Sequence, residues 1–86
     1  MSLTGTEYIT LSRKVMKSKV SPNAKILYIN LLLRSGSADF YIDDISEILD
    51  CSYRSSISFV RELLDEGLIY RDRNFGSASH YEVVKE

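Results

Sequence analysis

Apolar residues in this chain recur with helical spacing through its middle and alternate with polar residues toward its C-terminus. The clearest run is "SPNAKILYINLLLRSGS", where Ala24, Leu27, Tyr28, Leu31 and Leu32 return every three or four residues on one face and predict an amphipathic helix. Ser21 can accept the free amides of its first turn, and Pro22 suits the first helical position, where a missing donor costs nothing. Arg34 stands near the negative end of the helix dipole, and Gly36 stops the helix. "ADFYIDD" reads as a short strand, after which Asp43 or Asp44 caps a second helix with Ile45, Ile48 and Leu49 buried. With Asp44 as the cap, Glu47 completes a capping box. "DCS" makes a tight turn and Ser52 caps a third helix, whose apolar face is Phe59, Val60, Leu63 and Leu64 and whose left-handed stop is Gly67. Leu68 to Arg73 and Ser79 to Val84 alternate around the turn-rich "NFGSA" as a hairpin, with Tyr81 turned inward and Phe75 expected to pack rather than stack on bases. At the other end, "EYITLSR" (7–13) alternates like a short strand with Tyr8 and Leu11 inward. "RKVMKSK" adds a turn or two of helix with Val15 and Met16 inward.

A chain of 86 residues closes one core, and 44 % hydrophobic with 27 % charged residues is the composition of an ordinary folded domain. The expected domain covers residues 7–84, with residues 1–6 a disordered end or, for "MSL", an expression leader. "MSLTGTEYITLSRK" has neither the positive start nor the apolar run of a signal peptide, and "ILYINLLL", interrupted by Asn30, is too short to span a membrane. The single cysteine, Cys51, has no partner for an internal disulfide, which fits a reducing cytoplasm.

The formal net charge of −1 argues against binding nucleic acid by bulk electrostatics, yet the charges are segregated. Residues 1–38 carry Arg13, Lys14, Lys17, Lys19, Lys25 and Arg34 against Glu7. Residues 39–66 carry Arg54 and Arg61 against Asp39, Asp43, Asp44, Glu47, Asp50, Glu62, Asp65 and Glu66. The run from Asp39 to Asp50 suits helix capping and solvated surface, or else a basic partner.

Two helices joined by a tight turn, with a hairpin following the second, make a helix-turn-helix with a wing. The expected class is α+β: a winged helix-turn-helix with a three-helix core, a C-terminal hairpin wing and a short N-terminal strand. "LSRKVM", "SPNAKILY", "ISEILDCS" and "RELLDEGLI", in that order, resemble the winged-helix N-terminal domains of bacterial plasmid and phage replication initiators and of primosomal proteins of the DnaD type. The resemblance spans roughly residues 7–84. It implies duplex DNA as the partner, a role as replication initiator or replisome organiser, and other replication proteins as further partners. Transcription regulators share the closing "L-x-x-x-G-L-I" block, so that role stands as the alternative, beside a winged-helix module for self-association or partner binding. A homodimer or higher oligomer is compatible with each. The chain departs from the family pattern at Asp50, where Gly is usual, at Cys51, at Ser58, where relatives carry a basic residue, and at Ser56, where a core valine is expected. The last leaves two rotations of the third helix open, one with Ser56 inward and one with Ile57 inward.

The expected DNA-binding residues are Ser52, Tyr53, Arg54, Ser55, Ser58 and Arg61 on the third helix, with Arg71, Arg73 and Asn74 in the wing. Arginine grips guanine with two bonds, serine and tyrosine reach bases or phosphates, and a helix N-terminus favours a phosphate. Cationic side chains in a hairpin also protect an edge strand. Arg13, Lys14, Lys17 and Lys19 form a basic group that either adds phosphate contacts or solubilises a flexible arm. Catalysis is not expected. Cys51 sits in the turn while His80 is on the hairpin, one Cys and one His are too few for a zinc site, and no Gly-rich phosphate loop occurs. No metal or cofactor is implied.

Overall fold

A computed structural model of the chain describes residues 3–73 and 78–85. In chain order its elements are α1 (Gly5–Met16), α2 (Pro22–Leu33), β1 (Ser37–Phe40), α3 (Ile42–Leu49), α4 (Tyr53–Asp65), β2 (Ile69–Arg73) and β3 (Ser79–Val83). The strands form one antiparallel sheet in the order β1-β3-β2, with Tyr81 opposite both Ala38 and Arg71. Helices α3 and α4 are the helix-turn-helix, β2 and β3 the wing, and α2 runs behind both. This is a winged helix-turn-helix fold of class α+β.

The N-terminus corrects the expected strand. Residues 7–13 lie inside α1, because Thr4 and Glu7 form a reciprocal capping box: Glu7 N donates to Thr4 Oγ1 at 3.1 Å and Thr4 N to Glu7 Oε1 at 2.9 Å. Tyr8, Leu11 and Val15 are spaced for one helical face, and Leu11 and Val15 are buried. In a strand Tyr8 and Leu11, three residues apart, would point to opposite faces, and the 7–13 window is too short to tell the two periods apart by pattern alone. Val15 turns inward as expected but Met16 is 62 % exposed, since neighbouring helical residues cannot share a face. Leu3 is buried, so the ordered fold starts ahead of Glu7.

Helix α2 forms as its sequence predicts. Ser21 accepts from Ala24 N, Pro22 follows it, and Ala24, Leu27, Tyr28, Leu31 and Leu32 are all buried. Its end is shared by two residues with positive φ. Ser35 takes the left-handed position at φ 63°, and Gly36 N donates to Leu31 O at 2.8 Å. Gly36, at φ 90°, also lies where a Cβ would meet Val83 Cγ2 at 3.1 Å, so the helix end sits directly against β3.

Helix α3 begins two residues before Asp44, which is therefore not its cap. Asp44 stands in the first turn, and its carboxylate accepts from Tyr41 N at 2.9 Å. Ile45 and Leu49 are buried and Ile48 half-buried. In the turn, Asp50 adopts φ 51°, a conformation aspartate tolerates better than most residues, and Cys51 N donates to Ser46 O at 3.1 Å. Ser52 caps α4 and Gly67, at φ 71°, ends it. Leu68 N donates back to Leu63 O at 3.0 Å, which turns the chain from α4 straight into the wing.

Candidate nucleic-acid interface

The rotation of α4 decides which residues can meet a partner. Ser56, Val60 and Leu63 face the core, with Ser56 and Leu63 both at 0 % exposure. The inward residue is thus Ser56, and Ile57 is 38 % exposed. A serine is accommodated in the core because its hydroxyl is fully engaged: it lies 2.8 Å from Ser46 Oγ, 3.3 Å from Cys51 Sγ and 3.0 Å from Ser52 O. Arg54, Ser58 and Arg61 follow at the first, fifth and eighth positions of one stripe on the opposite face, all exposed.

Tyr53, 58 % exposed, stands on the flank of α4 beside Tyr41, Ile42 and Asp43. Ser52 and Ser55 are largely spent on each other: Ser55 N donates to Ser52 Oγ at 3.1 Å, and the Ser52 hydroxyl lies 3.0 Å from Ser55 Oγ. Their first role is to hold the helix N-terminus in shape. In the wing, Arg71 is exposed on β2, and Arg73 pairs with Ser79 in the strand register. Asn74 and Phe75 lie outside the described residues. Between α4 and the wing runs a cleft of about 320 Å³ into which both Arg61 and Arg71 face. Arg54, Arg61 and Arg71 have no hydrogen-bond or ion-pair partner among the described residues, so all three are available to an incoming anion.

The N-terminal cations are placed differently. Arg13 and Lys14 belong to the last turn of α1 and Lys17 is its C-cap, so this group is helical rather than a flexible arm. Lys19 lines a hollow with Val20, Glu62, Asp65 and Glu66. It thus lies by the C-terminal turns of α4, ~15 Å along the helix from Ser52 at 1.5 Å per residue. Glu62 has a task of its own there. Its carboxylate accepts from Ser21 N at 2.7 Å and from the Ser21 hydroxyl at 3.0 Å, fastening the start of α2 to α4. No local pattern announces a pair 41 residues apart.

On the sheet, a polar ladder crosses from β1 to β2. His80 Nδ1 is 2.7 Å from Asp39 Oδ1 directly opposite it, and Nε2 is 3.3 Å from Glu82 Oε1. The hydrogen bond to Asp39, helped by Glu82 and opposed by partial burial, raises the His80 pKa above the usual histidine range. Glu82 in turn accepts from Tyr70 on β2 and raises that phenol. Cys51 and His80 thus have separate sets of partners. Tyr28 is different: burial pushes its phenol up to about 12, and its hydroxyl has no hydrogen-bond partner among the described residues. Among the described residues no three His, Cys, Asp or Glu side chains gather as a metal site, and no helix is long and apolar enough to cross a membrane.

A helix-turn-helix followed at once by a hairpin, as in α3, α4, β2 and β3, is the arrangement of the winged-helix fold. The fold is similar to the crystal structure of MepR, a transcription regulator of the Staphylococcus aureus multidrug efflux pump MepA, with a TM-score of 0.58 and 15 % identity. The match covers 92 % of this chain and 58 % of that one, so this chain corresponds to little more than half of the neighbour's length. No protein-family model and no curated protein matches the sequence.

Proposed function

We propose that this chain binds duplex DNA, with α4 in the major groove and the wing on the flanking backbone, as the reading module of a transcription regulator. The observation that carries this is the outward stripe Arg54, Ser58 and Arg61, held by the inward rotation of Ser56, Val60 and Leu63 and free of internal ion pairs among the described residues. The sequence motifs resemble those of replication initiators, whereas the likeness in fold to MepR, a transcription regulator, supports the regulatory role. The stripe holds few charges, so affinity comes from a small number of phosphates and reading from Arg54, the arginine nearest the helix N-terminus.

Fluorescence anisotropy with labelled duplexes over a salt series tests the proposal. Binding is expected to weaken linearly in log salt with a slope of about −0.9 per phosphate neutralised. Arg54→Ala is expected to narrow the gap between a selected site and random duplex, with little change on random duplex. Absence of duplex binding at low salt would refute the proposal.

A second reading, self-association, is favoured by the other side of α2. Ile26, Ile29 and Leu33 repeat along its outer face and Met16 covers their end; Leu33 is 75 % exposed. A helix apolar on both sides ordinarily has both sides covered. The two neighbouring cations are folded back, Lys25 Nζ onto Met16 O at 3.1 Å and Arg34 over the Phe40 ring at 5.1 Å, leaving the stripe itself apolar. A second copy packed through this stripe would present two recognition helices. Sedimentation velocity should show a dimer that Leu33→Glu dissociates; a monomer at all concentrations would remove this reading.

A further inference from the structure

We infer that Arg61 and Arg71 grip one and the same backbone phosphate of the duplex, across the cleft between α4 and the wing. This rests on the DNA-binding reading and sharpens it. The cleft is walled by Arg61 from α4 and Arg71 from β2, with Ile57, Val60, Phe40 and Tyr81 among its apolar lining, and among the described residues no carboxylate lines it. That is unusual for this chain, whose twelve acids outnumber its eleven Lys and Arg. Lys19 shares its hollow with Glu62, Asp65 and Glu66, and Arg34 shares its own with Asp39, Asp44 and Glu47. Only in the α4–wing cleft, among the hollows described, do two cations meet without an acid.

Two guanidinium groups facing a partly apolar cleft repel one another more strongly than they would in open water. One anion lodged between them turns that repulsion into two attractions, and a phosphate presents several oxygens to two planar forks at once. The apolar lining then suits the deoxyribose on either side of the phosphate. Ile57, exposed on the same side of α4 and lining the cleft, is the residue best placed for that contact. A shared phosphate also fixes the angle between recognition helix and wing, because neither arginine can follow the strand without the other.

The test compares wild type, Arg61→Ala, Arg71→Ala and the double variant for affinity on one duplex over a salt series, each shown to fold by its thermal melt. If the phosphate is shared, the double variant loses about 0.9 of salt slope, no more than one phosphate's worth. Its fold-loss in affinity then falls well short of the product of the two single losses. Independent contacts would instead take about 1.8 from the slope and multiply the losses, which overturns the inference while leaving DNA binding intact. A wild-type chain that binds no duplex overturns both readings. A free anion is separated by titrating inorganic phosphate into the labelled protein by NMR. Shifts at Ile57 and Arg71 with free phosphate, alongside unchanged duplex slopes in the variants, would assign the cleft to a small anion and not to DNA.

Discussion

The hydroxyl of Ser56 offers the sharpest test of how the helix-turn-helix is held. It is fully buried and has Ser46 Oγ, Cys51 Sγ and Ser52 O around it at 2.8, 3.3 and 3.0 Å, while Ser46 Oγ is also 3.1 Å from Ile42 O. Ser46, Cys51 and Ser56 bring one hydrogen each, so three of these four contacts carry a hydrogen at any moment and the acceptors outnumber the donors. Ser56→Ala would remove one oxygen yet orphan no strong group. The Ser46 hydroxyl keeps Ile42 O, and Ser52 O still accepts Ser56 N at 3.0 Å. What is lost is the net value of one hydrogen bond, about 1 kcal/mol, with a cavity smaller than a methyl group. In a domain of this size that lowers Tm by about 4–8 °C. Urea unfolding followed by circular dichroism measures it, with Ser46→Ala and the double variant completing a cycle whose coupling should reach about 0.5–1 kcal/mol. No destabilisation would show that the knot holds nothing. A loss above ~3 kcal/mol would show that some buried group is left unpaired, contrary to the geometry.

Three further outcomes are expected. Tyr28→Phe should raise stability by about 1 kcal/mol, because it removes a buried hydroxyl that has no partner; a loss of that size would reveal one. Glu62→Gln should cost about 1 kcal/mol through its weakened grip on Ser21, and hydrogen exchange should quicken first in the opening turn of α2 rather than across the whole fold. For His80 the folded-state pKa is the raised one, so the Asp39–His80–Glu82 contacts contribute fully below the ordinary histidine range. That contribution fades as pH rises through the raised value. With His80 and Asp39 both partly exposed it amounts to only about 0.2–1 kcal/mol. Comparing denaturant midpoints at pH 5.5 and 8.5 for wild type and His80→Gln should show the variant less sensitive to pH over that window.

Local signals carried much of the fold. The α2 and α4 starts were readable because Ser21 and Ser52 bond amides three residues on, and the α4 end because Gly67 supplies a left-handed residue. The buried face of α2 followed from spacing alone. The strand expected at residues 7–13 fails for an equally local reason: Thr4 and Glu7 form the capping box that makes the segment helical, and Thr4 falls in the 1–6 end expected to be disordered.

The rotation of α4 could not be read from its own residues, since Ile57 is the better core side chain by hydrophobicity alone. Ser56 turns inward because α3 and the turn bring Ser46 and Cys51 to its hydroxyl, which removes the cost of burying it. That rotation sets Arg54, Ser58 and Arg61 outward together. The arginine count was plain in the sequence; which arginines meet depended on packing. Folding brings Arg61 and Arg71 to one cleft with no acid among its described lining residues, and sends Lys19 to Glu62 at the far end of the same helix. Caps and periodicity act over a few residues and are written in the order of the chain, whereas partners tens of residues apart meet only when helices and sheet close on a shared core.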